Sequence, residues 1–318
     1  MRDSPTRPPI RGGSLAEAEL RSVAGVARPV PAAPSESPFV QGLRRLRRSA
    51  TALAGAAIVA ALLVVALTAD VLAPRNPIAN DQRVTFARPS WDHPLGTDQL
   101  GRDMLSRIIH GARISLLVGV SSVLLALFVG VPLGMIAGYY GGRIDTLVMR
   151  AMDLILAFPI YLLAILLMVM FTPTAGLIGT MKVTGAIAIV RIPIYARLVR
   201  GSVLSIKEKE FIEASRALGV RDTSILARHV LPNCLAPIIV TTTLGIATSI
   251  IVEATLSFLG LGTQPPTPSW GWDLKANVAF IQATPWLALF PGLAIFVTVL
   301  GFNLFGDGLR DALDPRLK

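Results

Sequence analysis

The amino-acid sequence predicts an all-α, polytopic membrane protein with six transmembrane helices. Of its 318 residues, 53% are apolar and 16% are charged, whereas a soluble domain carries about 25% charged residues. The charged residues also cluster, and the stretches between them are long enough for the roughly 20 apolar residues that one span needs. The low charge and its clustering together decide the class of protein.

The first 49 residues are expected to form a disordered, basic cytoplasmic tail, because they are rich in Pro, Ala, Ser and Arg and show no apolar period. The Arg-Arg-Leu-Arg-Arg run at 44–48 fits the excess of Lys and Arg in cytoplasmic segments. Contact of this run with anionic membrane lipid is a second interpretation. Residues 50–71, which Asp70 and Pro74 bring to an end, form the predicted first span.

Residues 72–113 are predicted to be an extracytoplasmic segment. From Asp98 onward its apolar residues recur at helical spacing, which favours an interfacial amphipathic helix that leads into the second span. A plain connector is the alternative. The apolar residues in this pattern are Leu100, Met104, Leu105, Ile108 and Ile109.

A core of five further spans is predicted within residues 114–306, and a short cytoplasmic tail follows at 307–318. Trp270, Trp272 and Trp286 are expected to mark one membrane interface, because indole rings prefer the headgroup level. The five spans are predicted within Ile114–Tyr140, Met149–Phe171 (with Pro159 inside it), the stretch that starts at Val183, Cys234–Phe258 and Trp286–Phe305.

Two ionisable residues fall at membrane depth and are candidates for a pathway or gate. Arg191 lies in the fourth span, and an Arg at the bilayer centre costs about 2.5–3.5 kcal/mol on insertion scales. We therefore expect Arg197 and Arg200 at the cytoplasmic boundary, while Arg191 either snorkels or faces a wet interior. Glu253 lies in the fifth span, where a hydrogen bond to a neighbouring helix is the alternative to a pathway role.

A polar island, Glu208–Asn233, interrupts the apolar core. Glu208–Leu218 is predicted to be a helix whose Phe211, Ala214 or Ser215, and Leu218 share one face. Gly219 follows where helices commonly end in a left-handed residue. Asp222 or Thr223 is then expected to cap a second short helix, which would give a compact helix–turn–helix knob.

Several kinds of chemistry are missing from the sequence. It contains no phosphate-binding G-x-x-x-x-G-K-[ST] loop, no G-x-S-x-G and no H-E-x-x-H. The single cysteine and three scattered histidines show no metal-ligand spacing. The net charge of +10 belongs to membrane topology, and we expect no nucleic-acid partner. The sequence therefore predicts no enzyme and no metal site, and it suggests that the source of energy lies on another subunit.

The island resembles the coupling loop, with its Glu-Ala-Ala signature, of bacterial ABC importer permeases. Further strings resemble the dipeptide/oligopeptide/nickel subgroup, and within it the C-type peptide permeases: HPLGTDQLGRDMLSRIIHGARISL, GYYGG, YARLVRG, EATLSFLGLGTQPPTPSWG and GDGLRDALDPRL. The resemblance covers about residues 50–318. Arg191 departs from it, since the family usually has an uncharged turn there. The residues assigned to ATPase coupling are Phe211, Glu213, Ala214, Ser215, Arg216, Leu218, Gly219, Ile225, Leu231 and Pro232.

The resemblance implies a type I, MetI-like permease bundle with a cytoplasmic coupling helix at 208–232, in the bacterial plasma (inner) membrane. It also implies partners: a second, B-type permease, one or two ATP-binding subunits that hold ATP and Mg, and an extracytoplasmic peptide-binding protein. No cofactor is expected in this chain itself. The expected cargo is dipeptides or oligopeptides. Nickel or another small solute is the alternative cargo, and a membrane scaffold or enzyme without ATPases is the alternative class.

The distribution of basic residues predicts that both termini and the island are cytoplasmic. The N-terminal tail, the island and the C-terminus carry excess Lys and Arg, whereas two of the opposite loops carry little. The first external loop conflicts with this topology because it holds five arginines, namely Arg75, Arg83, Arg88, Arg102 and Arg107. Three agreeing segments outweigh that one loop.

Overall fold

The computed structural model describes residues 46–47, 49–170 and 174–313. Most of the predicted N-terminal tail and the last five residues of the predicted C-terminal tail lie outside these ranges. Within them the regular elements are helical, as the composition predicts. The helices are α1 Ala50–Leu67, α2 Ala69–Leu72, α3 Met104–Tyr140, α4 Gly142–Leu156, α5 Ile160–Met170, α6 Gly176–Lys207, α7 Glu210–Ala217, α8 Asp222–Ile225, α9 Leu231–Phe258, α10 Trp270–Val278 and α11 Pro285–Leu313.

The number of predicted spans is confirmed, with one span broken. In the described part of the chain, five helices are long and apolar enough to cross a membrane. The pair α4 and α5 forms a sixth candidate, bent by 87° at its break. The third span was predicted as one helix through Pro159. The bend falls at that proline, which has no N–H to continue the helical ladder.

The second span begins earlier than predicted and contains the expected amphipathic helix. Asp103 caps α3 by accepting a 2.8 Å hydrogen bond from the backbone N–H of Ser106. From there one helix runs to Tyr140 without interruption. The stretch predicted to be an amphipathic helix leading into the second span is thus the first part of α3, where Met104 and Arg107 are buried against other elements.

Small residues let α3 and α6 pack closely, as is common between membrane helices. Gly130, Gly134 and Gly138 lie four residues apart on one face of α3. A Cβ atom at Gly130 would lie 2.8 Å from the carbonyl oxygen of Ile192, and one at Gly134 would lie 2.4 Å from that of Ala196. Contact at backbone distance fixes α6, which leads directly into the polar island.

One tryptophan expected at the membrane interface belongs to the core instead. Trp270 is 1% exposed, and its indole N–H donates a 2.9 Å hydrogen bond to the carbonyl of Ile108 on α3. Its ring fills the space above Gly111, where a Cβ atom would approach it to 2.7 Å. The ring therefore ties α10 to α3.

Candidate functional site

The helix predicted in the polar island is present as α7, and its two faces differ sharply. Ile212 is fully buried in a cluster that includes Val203, Ile225 and Val230. Phe211 and Leu218, by contrast, are 41% and 83% exposed. The apolar face named in the sequence thus points away from this chain, while Ile212, which the sequence pattern did not single out, holds α7 in place.

The other predicted coupling residues divide in the same way. Glu213, Ala214, Arg216, Gly219 and Pro232 are exposed, whereas Ser215 and Leu231 are half-buried and Ile225 is buried. Ser215 donates a 2.8 Å hydrogen bond from its hydroxyl to the carbonyl of Phe211, one turn earlier. Most of the predicted residues are therefore exposed, whereas Ile225 is part of the buried cluster beneath α7.

Gly219 ends α7 in the left-handed conformation that the sequence predicts, with φ of +73°. The N–H of Gly219 donates to the carbonyl of Arg216 at 2.9 Å, and the N–H of Val220 donates to that of Ser215 at 3.1 Å. These two bonds form a Schellman motif, which satisfies carbonyls that the helix end would otherwise leave unpaired. The turn fixes the direction in which Leu218 projects.

Replacing Gly219 with valine is expected to disturb this turn by about 1–2 kcal/mol, the cost of left-handed backbone for an L-residue. No atom lies within 4 Å of the added Cβ, so the effect comes from the backbone rather than from a clash. The resemblance to importer permeases predicts weaker coupling, measured as ATP-driven transport by the reconstituted complex, with normal membrane insertion. Gly219→Asn is the matched control, because Asn tolerates this conformation. Equal transport by both variants would contradict the role of the turn.

The expected second helix of the knob is not separate. α8 continues through a π-helical turn at Leu226–Val230 into α9, so that Asp222–Phe258 forms one 37-residue helix. No side chain caps α8. The prediction that Asp222 or Thr223 caps it is therefore wrong, and Asp222 bonds elsewhere.

Asp222 is part of a polar bracket that joins three elements. The hydroxyl of Tyr139, at the end of α3, donates a 2.6 Å hydrogen bond to the carboxylate of Asp222. The same hydroxyl accepts a 3.4 Å bond from Nε of Arg216, whose guanidinium lies 5.0 Å from the centre of the tyrosine ring. The Gly-Tyr-Tyr-Gly-Gly string pointed to Tyr139, but its partner lies 83 residues away and gives no local signal.

Replacing Tyr139 with phenylalanine is expected to destabilise the bracket by about 0.5–1.5 kcal/mol, because the exposed carboxylate of Asp222 loses one hydrogen bond. The ring and its contact with Arg216 remain. We expect faster proteolysis within residues 208–222, measured by limited digestion of the purified protein. Tyr140→Phe is the control, since Tyr140 is exposed. Identical digestion rates in the two variants would show that the hydroxyl does not hold the segment.

Glu253 is fully buried, and three serine hydroxyls donate hydrogen bonds to its carboxylate. It accepts hydrogen bonds from Ser115 at 3.2 Å, Ser257 at 2.8 Å and Ser269 at 3.0 Å. The three serines come from α3, from α9 itself and from the loop before α10. Of the two alternatives for Glu253, the structure shows the hydrogen bond to neighbouring helices.

The basic residues of α6 occupy two different environments. Arg197 pairs with Asp153, and Arg200 pairs with Asp145 through a 2.6 Å bond. Arg191, only 9% exposed, donates instead to the hydroxyl of Thr248 on α9. No ion pair reaches Arg191 from the described residues, so a cation sits inside the bundle with a neutral partner.

Two known families match this chain, one near its N-terminus and one over its C-terminal half. Residues 130–318 match the family described as binding-protein-dependent transport system inner membrane component. Residues 37–89 match the N-terminal transmembrane domain of oligopeptide transport permease C. The first match alone covers more than half of the chain and includes the polar island, α9 and α11.

Curated relatives are similar over nearly their whole length. A dipeptide transport system permease protein of Alkalihalophilus pseudofirmus is 45% identical over 282 residues, which are 89% of this chain and 91% of that protein. A di/tripeptide transport system permease protein of Pseudomonas aeruginosa is 43% identical over 89% of this chain and 93% of its own. A glutathione transport system permease protein of Escherichia coli is 47% identical, over 89% and 92% respectively.

These matches agree with the five or six candidate spans, and they identify a transport component rather than an enzyme. The chain belongs to the family of binding-protein-dependent transport system inner membrane components, as a multi-pass permease subunit of an ABC importer that resembles oligopeptide permease C.

Proposed function

We propose that this permease subunit imports dipeptides and other short peptides, with glutathione as the second candidate cargo. The names of the dipeptide and di/tripeptide relatives support peptides, and the name of the 47% identical relative supports glutathione. Both candidates are small peptides with free carboxylates, so they make the same chemical demand on a pathway.

The exposed apolar surface of α7 supports the way in which this chain would receive energy. A leucine that is 83% exposed beside a phenylalanine that is 41% exposed is unfavourable in water and favourable in a protein cleft. We propose that Phe211, Ala214 and Leu218 dock into a cleft on an ATP-binding subunit, with Glu213 at the rim. ATP and Mg would be held there and not by this chain.

The same proposal fixes the orientation and the remaining partners. The basic residues of the polar island support a cytoplasmic location for α7 and for both termini. A B-type permease would complete the pathway, one or two types of ATPase would drive it, and an extracytoplasmic binding protein would deliver the peptide. Membrane lipid surrounds the outer faces of the helices.

Uptake by the reconstituted complex tests the function directly. Proteoliposomes containing this chain, the second permease and the ATPases would be supplied with loaded binding protein, ATP and one labelled cargo. We expect ATP-dependent accumulation of a dipeptide and, if glutathione is also cargo, of glutathione. Accumulation of nickel alone, or no accumulation of any peptide, would contradict the proposal. An ATPase-inactive complex is the control for leakage.

A further inference from the structure

Arg191 is a buried cation within the bundle, and its hydrogen-bond partner among the described residues is a neutral hydroxyl. It lies close to the middle of α6 (Gly176–Lys207). Arg197 and Arg200, further along the same helix, each pair with an aspartate. None of the residues that the structure describes forms an ion pair with Arg191. A charge at this depth is costly and tends to mark a substrate pathway or a paired site.

The guanidinium of Arg191 makes one hydrogen bond and has one donor without a partner among the described residues. Its Nη2 donates to Thr248, and its buried Nε has no hydrogen-bond partner among the described residues. It lies beside Gly245, where a Cβ atom would be 3.5 Å from Nη1. Thr248 itself is exposed. The guanidinium therefore lies just beneath the surface of the bundle, and its Nε has no acceptor among the described residues.

An open cleft begins one helical turn from Thr248, the hydrogen-bond partner of Arg191, on the same face of α9. On α9, Pro237, Thr241, Leu244 and Thr248 follow one another at spacings of three and four residues, so they share one face. The cleft has a volume of about 450 Å³ and is lined by Leu198, Ala236, Pro237, Val240, Thr241, Leu244, Arg310 and Leu313. Pockets for small molecules span about 300–1,000 Å³, so a short peptide fits the scale of this cleft.

We propose that Arg191 binds the C-terminal carboxylate of the peptide as the peptide moves along this face of α9, which makes Arg191 a specificity-determining residue for transport. The inference rests on the proposed peptide cargo. A guanidinium offers paired N–H donors that match the two oxygens of a carboxylate. The single neutral contact with Thr248 orients the side chain and leaves its charge for the cargo.

Glu253, the second candidate for the pathway, does not share this property. Three hydroxyls occupy its carboxylate, and it has no exposed surface. It therefore has no group to offer a passing amine. Recognition in the pathway is accordingly directed at the acidic end of the peptide.

The test compares a dipeptide that has a free carboxylate with the same dipeptide as its C-terminal amide. Titration of the binding protein first sets concentrations at which both peptides saturate it, so that differences in delivery do not enter. Uptake by proteoliposomes of the full complex is then measured for the wild type and for Arg191→Gln. We expect the variant to lose about tenfold or more of its free-acid uptake, as befits a lost charged hydrogen bond, with little change for the amide.

Two further variants separate recognition from folding. Arg191→Lys keeps the charge and should retain part of the preference for the free acid. Arg197→Gln removes an arginine from the same helix that already has Asp153 as its partner. It should change uptake of the two peptides by the same factor. Co-purification of the second permease and stimulation of the ATPases by loaded binding protein should be intact in Arg191→Gln and Arg191→Lys.

Three results would overturn the inference. One is an unchanged ratio of free-acid to amide uptake in Arg191→Gln. Another is loss of the second permease from both Arg191 variants, which would make Arg191 the partner of an acidic group on that subunit. The third is a wild-type complex that accumulates no peptide at all, which would refute the proposed function as well. In the first two cases the wild type still imports peptide, and only the role of Arg191 falls.

Discussion

Replacing Arg107 with methionine is expected to destabilise the protein by about 3–5 kcal/mol, since it removes one partner of a buried ion pair. Arg107 and Asp273 are 0% and 1% exposed. Nε of Arg107 donates to the carboxylate at 2.7 Å, and its Nη1 donates to the carbonyl of Pro77 at 3.0 Å. The variant leaves the charge of Asp273 buried without a partner.

The measurement is the midpoint of thermal unfolding of the detergent-purified chain. Arg107→Met with Asp273→Leu is the control, because replacing both charges by apolar groups of similar size is often neutral. Arg113→Met is a second control, since Arg113 pairs with the exposed Asp70 and such pairs contribute little. A single variant as stable as the double variant would show that this pair does not hold α3 and α10 together.

Replacing Leu218 with aspartate is expected to reduce binding of the ATP-binding subunits by roughly ten- to hundredfold. Burying a leucine side chain is worth about 1.5–3 kcal/mol, and each 1.4 kcal/mol is about tenfold in affinity. Leu218 makes little contact within this chain, because it is 83% exposed. The variant should therefore fold and insert normally while losing its partner.

Affinity would be measured by titrating the purified ATPases onto the permease pair in nanodiscs. Leu218→Met is the control, because it retains an apolar side chain of similar volume. Ile212→Asp gives the opposite pattern, since Ile212 is fully buried and its replacement should disrupt α7 itself. Unchanged affinity in Leu218→Asp would remove α7 from the docking surface.

Local patterns in the sequence predicted the elements well and their long-range contacts poorly. The positive φ of Gly219 and the outward face of Phe211 and Leu218 follow from spacing within one helix. The bracket of Tyr139 and Asp222 and the pair of Arg107 and Asp273 join residues 83 and 166 positions apart. No periodicity encodes such partners, because they depend on how whole helices pack.

Two predictions made from the sequence were wrong, each because the relevant signal concerns how helices are joined and not what they are made of. The third span looked continuous because hydropathy registers composition and not direction, so the 87° bend near Pro159 left no trace in it. The knob was predicted to be a separate unit because Gly219 clearly ends a helix. No residue pattern within Asp222–Leu231 indicates that the next helix continues into the fifth span. Glu253 and Arg191 were equivalent candidates until their hydrogen-bond partners were known.

The continuous helix Asp222–Phe258 has a mechanical consequence. Its 37 residues extend for about 55 Å at 1.5 Å per residue, so it reaches from beside the proposed ATPase contact to the serines around Glu253. A tilt of about 10° around its centre would move each end by roughly 5 Å in opposite directions. Under the proposed coupling, a small push at the Asp222 end would therefore move the Glu253 end in the opposite direction.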